Sequence, residues 1–173
     1  MKIVIGLGNP GKKYENNRHN VGHMFIDYLA SLESLRVNDL KLVKTDCFMN
    51  QSGIFVKKLT RQLAKPVINN IIIIHDDLDI PLGKFHIQKG VGPQLHNGLE
   101  SIEQHLKTKD FWRVRIGIDN RKQNKWTRPE RSRGIDGETY VLKNFLPEEK
   151  SRLEKEIFPR LFVQFQNSSV FHN

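Results

Sequence analysis

Ile3-Val4-Ile5-Gly6-Leu7-Gly8-Asn9-Pro10-Gly11 stands near the start of the chain. Its reading decides the fold. Ile3, Val4, Ile5 and Leu7 make a short apolar run that stops at glycines, the pattern of a strand buried on both faces. Residues 9–20 are polar and rich in turn formers. Val21, Met24, Phe25, Tyr28, Leu29 and Leu32 then recur at the spacing of one helical face. Asn20 stands where an N-cap belongs. The glycines match G-x-G-x-x-G, the dinucleotide fingerprint, but that motif needs a helix to open within the glycines. Here the helix opens only at Val21, and Asp27 lies inside it rather than at the end of a second strand. A nicotinamide site is therefore not expected.

Outward from this unit, strands and helices alternate. Leu40–Phe48 reads as a strand. A helix starts at Ser52, turns Phe55, Leu59 and Leu63 inward, and ends before Pro66. Ile71–Ile74 is a buried strand ending in His75-Asp76-Asp77. Lys84–Gln88 alternates like a strand, Leu99, Ile102 and Leu106 mark a helix, and Trp112–Ile118 is a further strand. Pro147 with Glu148 and Glu149 starts a last helix, its acids at the positive end of the dipole. Pro159 should bend or interrupt it. The expectation is an α/β fold: a single domain over residues 1–173, with a twisted, mostly parallel mixed sheet flanked by helices. Working residues of such sheets gather past the carboxyl ends of the strands.

The chain has 173 residues, 38% hydrophobic and 27% charged, which suits one domain with its own core. The single cysteine, Cys47, excludes an internal disulfide framework and a cysteine-rich metal knuckle. No apolar run approaches the ~18 residues of a membrane span. Residues 1–7 read as strand and leave no room for a cleavable signal peptide. Lys and Arg outnumber Asp and Glu by 28 to 19, a net charge of +9. That suits either a polyanionic partner or a solvated basic surface. Residues 113–133 hold eight Lys or Arg against Asp119 and Glu130. Residues 120–134 read as a mobile basic loop suited to phosphate contact.

His19 and His23 have the i, i+4 spacing of helical zinc ligands, but Asn20 replaces the glutamate of that motif and His19 precedes the helix. Alternation along an extended segment prevents His75, Asp76, Asp77 and Asp79 from converging on one ion. No metal is expected. His19 together with Asp76 can instead form an imidazole held by a carboxylate, a general base toward water. Asn9, Asn50 and Asn97, each after a turn, supply amides that donate and accept. Capping and turn chemistry is the plain alternative for each of them alone.

Five motifs carry a resemblance. Gly6-Leu7-Gly8-Asn9-Pro10-Gly11 with Tyr14 and Arg18-His19-Asn20 comes first, then Phe48-Met49-Asn50. His75-Asp76-Asp77-Leu78-Asp79 with Pro81 and Gly83 follows, then His96-Asn97-Gly98-Leu99, and last Arg113, Arg115 and Gly117. In this order the chain resembles the bacterial-type peptidyl-tRNA hydrolase family. The resemblance implies hydrolysis of the ester between a peptide and the terminal ribose of tRNA, with His19 as base and Asp76 orienting it. It implies that Asn9 and Asn50 contact the peptide and that Asn97 holds the water or peptide carbonyl. Tyr14 and Phe48 would line the cleft, and Arg115 falls on a phosphate-clamping arginine. The lysine that partners this arginine in the family falls on Gln88, with Lys89, the nearer, and Lys84 as substitutes. No cofactor is implied; the partner is tRNA, no membrane is involved, and the protein acts as a monomer in the cytoplasm or a mitochondrion. The chain departs from the family at Gly90-Val91-Gly92-Pro93-Gln94-Leu95, stiffer and bulkier than the usual glycine-rich approach, and at Asp119. The rival reading is a non-catalytic tRNA- or ribosome-binding protein on the same scaffold.

Overall fold

Ile3, Ile5, Ile71 and Ile73 are buried on one side of a sheet, and Val4, Ile72 and Ile74 on the other. Continuous apolar runs therefore bury both faces, as parallel strands between helices require. The computed structural model describes residues 2–32, 40–62, 68–121 and 137–170. The strands are β1 (Lys2–Gly6), β2 (Leu40–Lys44), β3 (Ile71–Pro81), β4 (Phe85–Lys89) and β5 (Trp112–Asp119). The helices are α1 (Val21–Ser31), α2 (Ser52–Arg61), α3 (Asn97–Leu106), α4 (Gly137–Val141), α5 (Pro147–Arg152) and α6 (Phe158–Gln166). The sheet order is β2-β1-β3-β5-β4, parallel except for the β4–β5 pair. This is a single α/β domain with a mixed sheet flanked by helices. Helices α1 and α6 cover one face, and α2 and α3 the other.

The chain leaves β1 toward β2, and leaves β3 toward β4 and β5. The connections diverge between β1 and β3, and such a divergence opens a crevice at the strand carboxyl ends. The expected elements recur in order, with the short α4 added before the last helix and three differences in extent. β2 stops at Lys44 rather than Phe48. β3 does not stop at Ile74 but runs on through His75, Asp76 and Asp77 to Pro81, with its register to β5 broken between Asp77 and Pro81. Asp76 thus stays in the ladder, opposite Ile116, which gives it a rigid mount. The last helix is interrupted as expected, but just ahead of Pro159 rather than at it. A π-helical turn, Leu153–Ile157, joins α5 to α6 there, and the wider turn accommodates the proline ring and its missing donor. Of the basic loop expected over 120–134, Asn120 and Arg121 are described. The rest lies outside the described residues, as do Leu63 and Pro66.

Two packing features set the position of the turn that precedes α1. A Cβ on Gly22 would sit 2.5 Å from the Ile74 carbonyl oxygen and 2.7 Å from the Leu7 nitrogen. Only glycine lets the first turn of α1 lie directly on β1 and β3. Next to it, the buried Arg18 guanidinium pairs with buried Glu149 at 2.5 Å and donates to the Asn144 carbonyl. It also lies 4.5 Å from the centre of the Tyr140 ring. Glu149 in turn accepts from the Leu146 N–H and from the Asn120 side chain. This network ties the Arg18–Asn20 turn to the C-terminal helices. Arg18→Ala strands a buried carboxylate and should destabilise the fold by about 3–5 kcal/mol. The double replacement Arg18→Met with Glu149→Leu should recover part of that loss. Urea unfolding of the three variants checks both.

Candidate active site

His19 sits in a 3-10 turn, Arg18–Asn20, between the β1 glycines and α1. Its Nδ1 lies 2.8 Å from Asp76 Oδ1. The same carboxylate oxygen lies 3.0 Å from His96 Nε2. All three side chains are buried. The protons follow from the remaining partners. His96 is the N-cap of α3, and its Nδ1 accepts from the N–H groups of Gly98 and Leu99. An accepting Nδ1 puts the ring hydrogen on Nε2, so His96 donates to Asp76. The ionised carboxylate only accepts, so His19 also donates to it through Nδ1–H. The lone pair of His19 is thereby left on Nε2.

The electrostatics agree with this assignment. Burial alone would push the Asp76 carboxyl up, but His19 and His96 override it and hold it well below the usual carboxylate range. Burial pulls His19 down, yet the charge and hydrogen bond of Asp76 outweigh that and raise it above the ordinary imidazole value. Beneath His96, the fully buried His75 donates through Nδ1 to the Asp76 carbonyl at 2.7 Å and meets the His96 ring edge-on at 5.0 Å. Burial and His96 keep it well below the usual imidazole range, and it is neutral. His23 is neutral as well. Burial, then Lys44, pushes it down to about 4, and its Nε2 lies 3.1 Å from the Thr45 hydroxyl. The two histidines of the i, i+4 pair thus have different partners, His19 bonding Asp76 and His23 bonding Thr45.

Asn9 is held from both sides. Its backbone N–H donates to Asn20 Oδ1, and its carbonyl accepts from Asn20 Nδ2, both at 2.9 Å. Asn20 thus occupies the N-cap position of α1 without capping it; its amide is used on Asn9 instead. The Asn9 Oδ1 accepts the Met49 N–H, which fixes the orientation of the amide and leaves Nδ2 as a free donor. Asn50 is exposed in the turn Met49–Gln51, whose Met49 is buried, and Asn97 is the exposed first residue of α3. Those two elements meet closely, since a Cβ on Gly98 would sit 2.5 Å from Met49 Sδ. Tyr14 and the half-exposed Phe48 pack edge to face with ring centres 6.3 Å apart. The cleft residues named from the sequence thus gather around the β1–β3 crevice.

The residues named for phosphate contact are not all brought together. Arg115 Nε donates to buried Asp77 and its Nη1 to Gln88, both at 2.7 Å. Burial pushes the Asp77 carboxyl up, against the hydrogen bond from Arg115. Lys89 stands opposite Trp112, on the other face of β4 from Gln88, and pairs with Asp110 and Asn69. Lys84 is exposed, with no side-chain partner among the described residues. Sequence reasoning missed His96 as a partner of Asp76 and Asn20 as the clamp on Asn9. The only available signal was their place inside the motifs, beside Asn97 and His19.

His19, Asp76 and His96 also bring three potential metal-ligating atoms within 4.8 Å of one another. Their hydrogen bonding opposes an ion. A metal on His96 Nε2 would move the ring hydrogen to Nδ1, against the N–H groups of Gly98 and Leu99 that it now accepts.

Residues 3–166 match the family model described as peptidyl-tRNA hydrolase. Relatives that carry that name include two aligned over most of this chain. One, from Persephonella marina, is 40% identical over 91% of this chain and 85% of its own length. The other, from Thermodesulfovibrio yellowstonii, is 35% identical over 91% and 87%. The crystal structure of a peptidyl-tRNA hydrolase from Acinetobacter baumannii is similar with a TM-score of 0.70 and 26% identity, over 99% of this chain and 93% of that one. The matching family model and relatives aligned over 91% of this chain agree: the chain belongs to the peptidyl-tRNA hydrolase family.

Proposed function

We propose that this hydrolase cleaves the ester between a peptide and the terminal ribose of tRNA with His19 as the general base. The observation that carries the reading is the hydrogen bond from His19 Nδ1 to Asp76, which leaves Nε2 free to accept. Nε2 takes a proton from water while the water oxygen bonds to the ester carbonyl carbon. The carbonyl oxygen gains the electron pair and becomes an oxyanion. Collapse of this intermediate breaks the bond to the ribose oxygen, which takes the proton back from His19. A peptide carboxylic acid and a tRNA hydroxyl result.

Amide N–H groups are the donors this chemistry needs. The free Nδ2 of Asn9 and the unengaged amides of Asn50 and Asn97 serve the oxyanion and the peptide carbonyl. Asn9 and Asn50, on the peptide side, also favour a peptide amide over a free amine. Tyr14 and Phe48 give the acyl group an apolar wall. Asp76 positions the ring and stabilises the imidazolium formed during the reaction, and His96 holds Asp76 ionised. No nucleophilic serine or cysteine is required, because a water activated by a base suffices for an ester. Arg115 is the rigid point at which a tRNA phosphate is met. The protein acts as a monomer where such esters arise, in the cytoplasm or a mitochondrion. The rival reading, binding without catalysis, gives no reason to bury a carboxylate between two imidazoles. Desolvating those groups is costly, and tRNA affinity gains nothing from it.

His19→Ala should lower the hydrolysis of an N-acetyl-aminoacyl-tRNA by ~10²–10⁴-fold with the fold intact. A loss of less than about tenfold would remove His19 from the role of base. The base works when neutral, so kcat/KM should rise with pH through a midpoint above the ordinary imidazole value. Asp76→Asn removes the group that raises His19, so the midpoint should move down along with a drop in rate. The pH–rate profiles of the two proteins check the sign. EDTA should leave the rate unchanged; loss of activity restored by one divalent ion would return His19, Asp76 and His96 to the role of ligands.

A further inference from the structure

The proposed reaction gives His75 no task, yet its side chain is fully buried next to Asp76. By alternation it shares the sheet face of Ile71 and Ile73, the face covered by α2 and α3. An apolar residue would fill that place without desolvating two ring nitrogens. The imidazole even leaves its Nε2 without a hydrogen-bond partner among the described residues. A buried polar atom left unsatisfied is unfavourable, so the other nitrogen must offset it with a use that no apolar side chain supplies.

That use lies where the sheet runs out of donors. Carbonyls along a strand point alternately to its two neighbours. The Ile74 carbonyl points to the β1 side and accepts from the Leu7 N–H. The Asp76 carbonyl, two residues on, points the same way, but β1 has ended there; its last pair with β3 is Gly6 with Ile74. The N–H groups that follow are spent elsewhere, Gly8 on the Thr45 hydroxyl and Asn9 on Asn20 Oδ1. The missing donor is His75 Nδ1–H, 2.7 Å from the Asp76 carbonyl oxygen. This bond fixes the tautomer and puts the lone pair on the orphaned Nε2. Besides Asp76, the titratable or charged groups that face the ring are His96 from the start of α3 and Arg113 from β5. Burial and these two neighbours keep the ring neutral, so His75 carries no proton to or from the reaction.

We propose that His75 is a positioning residue: its Nδ1–H anchors the Asp76 peptide group where β3 overhangs β1, and so sets the carboxylate between the imidazoles of His19 and His96. The proposal rests on the reading of His19 as the general base. The hydrogen bond acts on the reaction only through Asp76, because His75 touches neither the water nor the ester.

Two substitutions test it. His75→Phe keeps a ring against His96 and removes the donor. His75→Asn carries an amide nitrogen at the same remove from the backbone as Nδ1 and restores the donor without the ring. The readouts are hydrolysis of an N-acetyl-aminoacyl-tRNA across pH, and the titration of His19 followed by NMR of the imidazole nitrogens, which needs no turnover. His75→Phe should lower kcat by about 10- to 100-fold and leave KM within about twofold of wild type, the pattern of a displaced group that acts in the transition state. The His19 titration should move down in the same variant, because a displaced carboxylate raises it less. His75→Asn should recover most of the lost kcat and return the titration toward wild type. In the wild-type protein the nitrogen signals should show His75 protonated on Nδ1 alone, a result that needs no variant to fold. A His75→Phe protein that is only less stable, with kcat and the His19 titration unchanged, would make the ring structural and overturn the proposal. Equal losses in His75→Phe and His75→Asn would overturn it too, since the donor would not be the cause, as would a wild-type His75 protonated on Nε2. A His19 titration that shifts as expected in a protein without hydrolase activity would defeat the catalytic reading and leave the anchoring of Asp76 standing.

Discussion

A carboxylate buried within β3 governs this molecule. Asp76 is 2% exposed, and a bare charge there would be prohibitively unfavourable. Two imidazoles make it tolerable, each donating one N–H to Oδ1. The same two bonds assign every relevant proton. His96 is committed by the backbone N–H groups that it caps, His19 is committed by Asp76, and a single lone pair remains available on His19 Nε2. The ionic state of one aspartate thus determines which nitrogen of His19 keeps its lone pair.

That arrangement needs its parts brought in from separate elements. Asp76 comes from the middle of the sheet, His96 from the start of α3, and His19 from the turn before α1. Each is held by packing that has no chemistry of its own. Gly22 lets α1 settle on the backbones of β1 and β3. Arg18 and Glu149 lock the adjoining turn to the C-terminal helices. Asn20 gives up a capping role to fix Asn9. The C-terminal helices therefore contribute to the site without lending it a reactive group. They hold the imidazole at the distance where Asp76 can raise it.

A second pairing of a buried acid with a cation, Asp77 with Arg115, follows the same logic on the other face of β3. Asp76 and Asp77 are adjacent in sequence, and the pleat sends them to opposite sides. One lies between the imidazoles of His19 and His96. The other anchors an arginine on β5, the strand next to the edge of the sheet. Neighbouring residues serve distinct tasks because a strand alternates.

The sequence by itself determined the α/β order, since apolar runs and helical faces are local patterns and the glycines punctuate them. It also pointed to His19, Asp76 and the three asparagines, because motifs preserve residues that chemistry requires in order along the chain. The continuation of β3 through Asp76 was not legible, because polar residues at a strand end look like a loop until a neighbouring strand pairs with them. Nor was the second partner of Asp76, because His96 lies 20 residues further along the chain and nothing local marks its ring as a donor. Lys89 looked the natural substitute for a missing charge, being next to Gln88 in sequence. Only the β4–β5 register shows that it lies on the opposite face of the sheet from Gln88 and that His86 stands opposite Arg115. A period of two sends sequence neighbours to opposite faces and brings distant residues together, and only the folded sheet reveals which ones meet.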